Sequence, residues 1–350
     1  MSASAGVGLH RARHPRGRQR QRQRRRQRGA ALLLAMLILT LVVTIAAGMV
    51  WQQTRAIEVE SAERARAQSA WVLHGALDWA RLILIEDGRS GRERGRNFDS
   101  LDEPWATPLA EARLSTFLAV DQDNNTDSGP EAFLSGAIED AQSRYNLRGL
   151  LDPSGAVVPE AVDALQQLTR AAGLPDDTAV RLASALTSTW AAGREGEGAG
   201  SPSAGAPLPP QRLGDLAWAD LDAAALAQLA PWVDLLPQRT PVNVNTAPAE
   251  VLMAAIDGLD RGSAERLVQR RQREPFASLD AVRAVVGENL VLVPERVAVA
   301  SRYFYIRGRL RLDERVLEER SLVERRGADG GGGGDVVVVR RERLGAGGGG

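Results

Sequence analysis

The sequence predicts an α+β chain: a long N-terminal helix, then strands, then a block of helices, then strands again. Three observations predict it. Residues Ala30 to Val50 carry no charge, and no proline interrupts the chain from there to Asp87. Pro159 to Trp190 repeats its apolar residues at helical spacing. Arg302 to Leu312 alternates with period two, as a strand does. A large all-α block is therefore expected between the strands.

The N-terminal part sets the frame. Arg11 to Arg28 holds ten arginines and no acid. The 21 uncharged residues that follow suffice to cross a hydrocarbon core of about 30 Å as a helix. Thr40 and Thr44 are their only polar side chains, and a helical threonine returns its hydroxyl to the backbone. A short arginine-rich flank stays on the cytoplasmic side, which sends the rest of the chain across. Three readings fit: an uncleaved anchor; a secretory signal cut near Ala46-Ala47-Gly48, although its apolar run exceeds the usual 7–15 or so residues; and a basic leader that ends at Gly29.

From Gln52 the helix continues to Asp87. Val72, Ala76, Trp79 and Ile83 form one apolar stripe, while Glu58, Glu60, Glu63, Arg64 and Arg66 mark a wetter stretch before it. One helix from Ala31 to Ile85 is expected, ended by Gly88 and the Gly/Arg-rich segment to Gly95. Proline keeps Leu101-Asp102-Glu103-Pro104-Trp105-Ala106 irregular. Glu111 to Val120 and Glu131 to Leu151 read as strands. Val162, Leu165, Leu168 and Ala172 form a helix face, and Asp177 or Thr178 caps the next helix. Gly193 to Pro210 reads as a loose Gly/Ser/Pro/Ala linker, and Leu213 to Leu236 as helix broken at Pro231. Thr246 reads as an N-cap with Pro248 in the first turn. Helices follow at Glu250 to Ile256, Gly262 to Arg273 and Ser278 to Val286. In the Arg302 to Leu312 strand, Phe304, Ile306, Leu310 and Leu312 face inward. Arg315 to Arg325 is its antiparallel partner. The tail from Gly327 reads as disordered, with Val336 to Val339 a stray apolar island.

The expected divisions are a basic leader at 1–29, an apolar helix at 30–50, its continuation at 51–88, the first part of an α+β head at 89–151, an inserted helical domain at 152–300 containing a hairpin-like 242–286, closing strands at 301–326 and a glycine-rich tail at 327–350.

Composition narrows the function. The 350 residues contain no cysteine, so no disulfide framework supports an exported part. All 44 basic residues are arginine, against 44 acids. Without the leader the balance is −10, which disfavours a nucleic-acid binder. Asp121, Asp123, Asn125 and Asp127 place oxygen-bearing side chains at alternate positions, a spacing that can wrap a hard cation such as Ca²⁺. Thr126 and Ala132 stand where an EF-hand loop has its Gly and Glu, and an acidic turn built on Asx-type bonds fits the same residues. Val242 to Arg273 resembles a helix-hairpin-helix module. However, Asp257 and Asp260 flank its turn, and seven acids against six arginines from Asn243 to Pro294 give no basic excess to hold phosphate. No catalytic constellation appears: His10 and His14 belong to the leader and His74 stands alone. The chain is not expected to be an enzyme.

A basic leader ending in glycine before an uncut apolar helix resembles a type IV prepilin-like precursor. Pro104-Trp105-Ala106, Tyr145-Asn146-Leu147, Val242-Asn243-Val244-Asn245-Thr246 and Tyr303-Phe304-Tyr305-Ile306-Arg307 occur in the order seen in the K-type minor pseudopilins of the type II secretion system. The resemblance runs from about Gly29 to Arg326. It implies a pilin-like fold interrupted by the helical domain. It implies cleavage after Gly29 by a prepilin peptidase and N-methylation of Ala30. It implies a single-pass inner-membrane protein with a cytoplasmic N-terminus and a periplasmic bulk, and partnership with the I- and J-type minor pseudopilins in a filament that serves protein export. Most such subunits carry Glu at the fifth mature position, where this chain has Leu34, as a subunit with no neighbour above it would. The family's calcium lies in the helical domain, after the Trp-bearing helix. Here the acidic run shrinks to Glu195 and Glu197, a poor cage. The alternative functions are a membrane-anchored DNA receptor using the hairpin, or a free-standing anchored periplasmic domain.

Overall fold

The computed structural model describes residues 16–113, 132–198, 209–219, 221–312, 315–327 and 334–344. The chain divides into two compact units, Met1–Gln68 and Ser69–Gly350. Helix α1 (Arg16–Glu93) begins within the basic leader rather than at Ala31 and supplies residues to both. It also outruns its expected end, since Gly88 and Gly91 are helical and the chain turns at Gly95, whose φ is +68°. A mid-helix glycine costs about 1 kcal/mol. Packing offsets this at Gly88, where the Arg325 side chain lies 3.3 Å from the place a Cβ would occupy.

In the first unit every residue from Gly29 to Ser61 is exposed. The Thr40 and Thr44 hydroxyls donate to Leu37 O and Leu41 O at 2.9 and 2.8 Å, as expected for threonines in an apolar helix. Arg64 pairs with Glu60 and Arg66 with Glu63 one turn apart.

In the second unit, residues 69–93 of α1 lie on a five-stranded antiparallel sheet. Its strands are β1 (Leu109–Arg113), β2 (Ala132–Asp140), β7 (Tyr303–Leu312), β8 (Arg315–Arg326) and β9 (Asp335–Leu344), neighbours in that order. β1 starts before the expected Glu111, and its continuation to Val120 lies outside the described residues. Leu77, Ala80 and Leu84 bury against Ile138, Phe304, Ile306, Val323 and Val336. Gly308 lets the helix come close, because a Cβ there would stand 2.7 Å from Leu73 Cδ1.

β2 and β7 pair along nine positions, Ala132↔Leu312 to Asp140↔Phe304, although residues 141–302 separate them in sequence. Between them lie helices α2 (Pro159–Ala171), α3 (Thr178–Gly198), α4 (Ala223–Leu229), α5 (Ala249–Ala255), α6 (Arg261–Arg271) and α7 (Leu279–Val286). Leu150, Leu165, Leu168, Leu182, Leu186, Leu252, Leu267 and Val282 belong to one contiguous buried core. Two short parallel pairs cross this block: β3 (Tyr145–Asn146) with β4 (Val233–Asp234), and β5 (Val242–Asn243) with β6 (Val297–Ala298). Asp222, Asp260 and Ser278 cap α4, α6 and α7 through their side chains.

Several expectations are corrected. The strand expected to reach Leu151 ends at Asp140, where Asp140 accepts the Gln142 N–H and turns the chain into a 3₁₀ turn, Ala141–Ser143. α3 runs through Gly198, so residues 193–198 are helix and not linker. Thr178 opens α3, but among the described residues its buried hydroxyl has no partner and caps nothing. Leu213–Ala219 is a 3₁₀ stretch and only Ala223–Leu229 is α-helix, before β4. Tyr303 and Tyr305 are buried, because Ala141 and Leu236 cover the second face of the sheet there. The tail is not disordered throughout: Asp335–Leu344 is the edge strand β9. Val336 is fully buried, its carbonyl accepts from Arg81 Nε at 2.9 Å, and Arg320 pairs with Glu342 and Arg341 with Glu319 across the strands.

Candidate functional site: a bare apolar helix and a buried polar junction

Gly29, Ala30 and Leu34 lie consecutively in α1, all exposed, Leu34 at 61%. Beyond its own helix backbone and chain neighbours, no described atom lies within 4 Å of the place a Cβ on Gly29 would take. Leu33, Leu37, Met49 and Trp51 are each more than 60% exposed. An uncharged apolar surface of this length is not stable against water. It matches lipid or the apolar faces of other helices. One helix in the described residues is long and apolar enough to cross a membrane, Gly29–Glu93.

The second feature gathers where β2, β5, β7 and the loop after α1 meet. Asp140 is fully enclosed at the end of β2. Its Oδ1 accepts the Gln142 N–H at 2.8 Å, and its Oδ2 accepts from Asn243 Nδ2 at 3.0 Å, Thr246 Oγ1 at 2.6 Å and Ser301 Oγ at 2.6 Å. Asn243 also donates to Asp99 O, and Asn245 exchanges hydrogen bonds with the Phe276 backbone. Burial pushes the Asp140 carboxyl up to about 6, opposed by the Ser301 and Thr246 hydroxyls. Thr246 is thus not the expected N-cap. Pro248 holds that position without a side-chain bond, and the Thr246 hydroxyl is committed to Asp140.

Arg325 on β8 ties the junction to α1. Its guanidinium reaches Asp87 at 3.3 Å, Asp99, and Ser301 O at 2.9 Å. Glu103 sits beside this group, accepting from Ser100 N at 3.0 Å and Trp105 Nε1 at 2.8 Å. Burial pushes Glu103 up to about 7, and the nearby Asp87 and Asp99 add to the rise. Asp87 is raised by burial as well. Trp105 then packs edge-on against Phe304 at 5.2 Å.

Asp87, Asp99 and Glu103 offer oxygens within 4.8 Å of one another. These oxygens are already bonded to the Arg325 guanidinium, the Trp105 indole and backbone N–H groups, so the set is built around an arginine and does not fit a metal ion. The expected cation ligands Asp121, Asp123, Asn125 and Asp127 lie outside the described residues. Glu195 and Glu197 lie on the helical backbone of α3 rather than in the expected loop.

The other motifs resolve into fastenings. Asn146 accepts from Arg148 N and Leu236 N and donates to Gln238 O and Thr240 Oγ1, joining the β3 and β4 segments. In the hairpin, Gly258 turns with φ +77°. Asp260 takes the Ser263 N–H and hydroxyl, which a phosphate would need, and Asp257 pairs with Arg296. His74 lies 3.7 Å from Glu319. Sequence reasoning picked out Asn243, Asn245 and Thr246 as landmarks but missed that Asp140 and Ser301 complete their network. A run of small polar residues at the opening of an otherwise apolar block was the available signal.

Comparison with known proteins identifies the chain. Two family models, both described as type II secretion system protein K, match residues 143–238 and 242–294. The curated type II secretion system protein K of Pseudomonas aeruginosa is 30% identical over 294 residues, covering 78% of this chain and 81% of the relative. A chain of the solved GspK-GspI-GspJ complex from the enterotoxigenic Escherichia coli type 2 secretion system shares the fold, with a TM-score of 0.59 at 20% identity, covering 81% of this chain and 99% of that one. The chain belongs to the type II secretion system protein K family, and is a structural component of that apparatus rather than an enzyme.

Proposed function

We propose that this chain is a minor pseudopilin that caps the tip of a periplasmic filament and helps start its assembly for protein export. The observation that carries this is the bare, uncharged helix directly after Gly29, with Leu34 in place of a carboxylate. The arginine leader holds the N-terminus in the cytoplasm and the inner membrane holds the helix. A prepilin peptidase cuts after Gly29, Ala30 becomes the methylated N-terminus, and the helix leaves lipid for a helical bundle. A terminal subunit offers no carboxylate upward, and Leu34 avoids the roughly 2.5–3.5 kcal/mol that a charge costs at the centre of a bilayer helix on insertion scales. In the solved complex GspK is joined by GspI and GspJ, which supports I- and J-type partners for this chain. The helical block between β2 and β7 is the bulk that blocks a further subunit.

N-terminal sequencing of the protein purified from membranes tests the reading. It is expected to start at Ala30, and Gly29→Ala is expected to abolish processing by more than tenfold. A start at Met1, or beyond Gly48, overturns it. Calcium at Asp121, Asp123, Asn125 and Asp127 is part of the same proposal. There, a calcium-dependent rise in melting temperature that Asp123→Asn removes is the expected result, and no rise sinks that site.

A further inference from the structure

On the helical block a cavity of about 450 Å³ opens beside Trp190, lined by Arg148, Leu151, Pro209, Pro237 and Arg239 among others. Its chemistry is unbalanced. The Arg148 guanidinium stacks 4.4 Å from the Trp190 ring, and its Nε donates to Pro237 O at 3.3 Å. Among the described residues no carboxylate pairs with it. Burial lowers its pKa, and no neighbouring carboxylate opposes that shift. Arg239, exposed at the mouth, has no ion-pair partner among the described residues either. Trp190 is 9% exposed, and its indole N–H is buried without an acceptor among the described residues. A buried donor left unmatched works against folding. Asp152 is the one carboxylate in the lining, and it is engaged elsewhere, accepting from Ser154 Oγ at 2.6 Å and Ala156 N at 2.9 Å.

We propose that this cavity is an anion site that takes a carboxylate of an acidic peptide segment. The two arginines supply charge, and Arg148 is held in place over the indole and by its bond to Pro237 O. Leu151, Pro153, Pro209 and Pro237 give the apolar wall. That wall suits the methylenes and backbone around an Asp or Glu side chain. A phosphate ion has no apolar part to place there.

The test uses the full chain in detergent micelles and a fluorescein-labelled peptide with one glutamate flanked by leucine and proline, read by anisotropy. The leader arginines also attract anions, so the quantity read is the saturable component that depends on Arg148 and Arg239. The expected result is that Arg148→Gln weakens this component at least about tenfold, the scale of one lost charge-assisted hydrogen bond, and Arg239→Gln about threefold. The matching glutamine peptide should show no such component. Among the described residues Arg239 is exposed and makes no hydrogen bond or ion pair, so its variant decides the matter if Arg148→Gln melts early. Equal binding by wild type and Arg239→Gln overturns the site, as does the absence of any saturable component. Inorganic phosphate binding tighter than the peptide overturns the choice of carboxylate.

Discussion

The two ends of α1 are one secondary structure written for two environments. Between Gly29 and Val50 every position except Thr40 and Thr44 is apolar or small, and every position is exposed. Between Leu73 and Leu84 one face, Leu73, Leu77, Ala80 and Leu84, is buried against the sheet, while Leu82 and Trp79, the latter part of the expected stripe, stay exposed. A helix apolar all round needs an apolar medium, whereas an amphipathic one needs a partner surface in its own fold. Helix propensity therefore says little about function here. The distribution of apolar side chains around the helix says most of it.

Paired substitutions give the sharpest way to break this comparison. Leu77→Asp buries a carboxylate without a partner and is expected to cost roughly 4 kcal/mol or more of stability, read as a lost thermal transition. Leu37→Asp is expected to leave that transition in place and to cost about 2.5–3.5 kcal/mol of membrane insertion instead, read as a reduced membrane fraction. If both variants lose the same property, the two ends of the helix are not doing different jobs.

A smaller effect is expected at the polar junction. Asp140→Ala leaves Asn243, Thr246 and Ser301 donors buried without their acceptor. That should cost roughly 3 kcal/mol or more, seen in the midpoint of denaturant unfolding. A loss below about 1 kcal/mol would mean that the donors find other acceptors.

The gentlest test is pH. Glu103 is pushed from 4.5 up to about 7 and Asp140 from 3.8 up to about 6. Between each pair of values the folded protein holds a proton that the unfolded chain has released. Stability therefore falls as pH rises through that window, and is highest near its acid end. The melting temperature at pH 5 should exceed that at pH 8, and Glu103→Gln should flatten the part of the curve nearest pH 7. A protein that stabilises steadily from pH 5 to 8 would contradict these environments.

Much of the architecture was legible because it is periodic. The Val162, Leu165, Leu168 face predicted α2, and the alternation from Tyr303 predicted β7. Helices α6 and α7, capped by Asp260 and Ser278, start within a residue of the expected Gly262 and Ser278. What was not legible depended on residues distant in sequence. Arg325 packs against Gly88 and lets the helix pass through it. The glycine run from Gly330 to Gly334 hid the strand after it. Asp335–Leu344 is ordered only because β8 offers an edge, α1 offers Arg81 to the Val336 carbonyl, and Glu319 offers a partner to Arg341. Thr246 looked like a helix cap by local rules and was claimed by Asp140, 106 positions away.

The sequence by itself determined the bare helix, the basic leader before it, the succession of helices and strands, and the family landmarks in their order. These follow from local charge and the spacing of apolar residues, which need no partner to be read. Only the tertiary structure decided that β2 and β7 become neighbours across residues 141–302, that Asn243 and Thr246 close around Asp140, and that Arg148 is left facing a cavity without a counter-charge among the described residues. The reason is physical. Burial and hydrogen-bond pairing are properties of groups brought together by the fold, and the free energy of a buried charge depends on neighbours that no local pattern records.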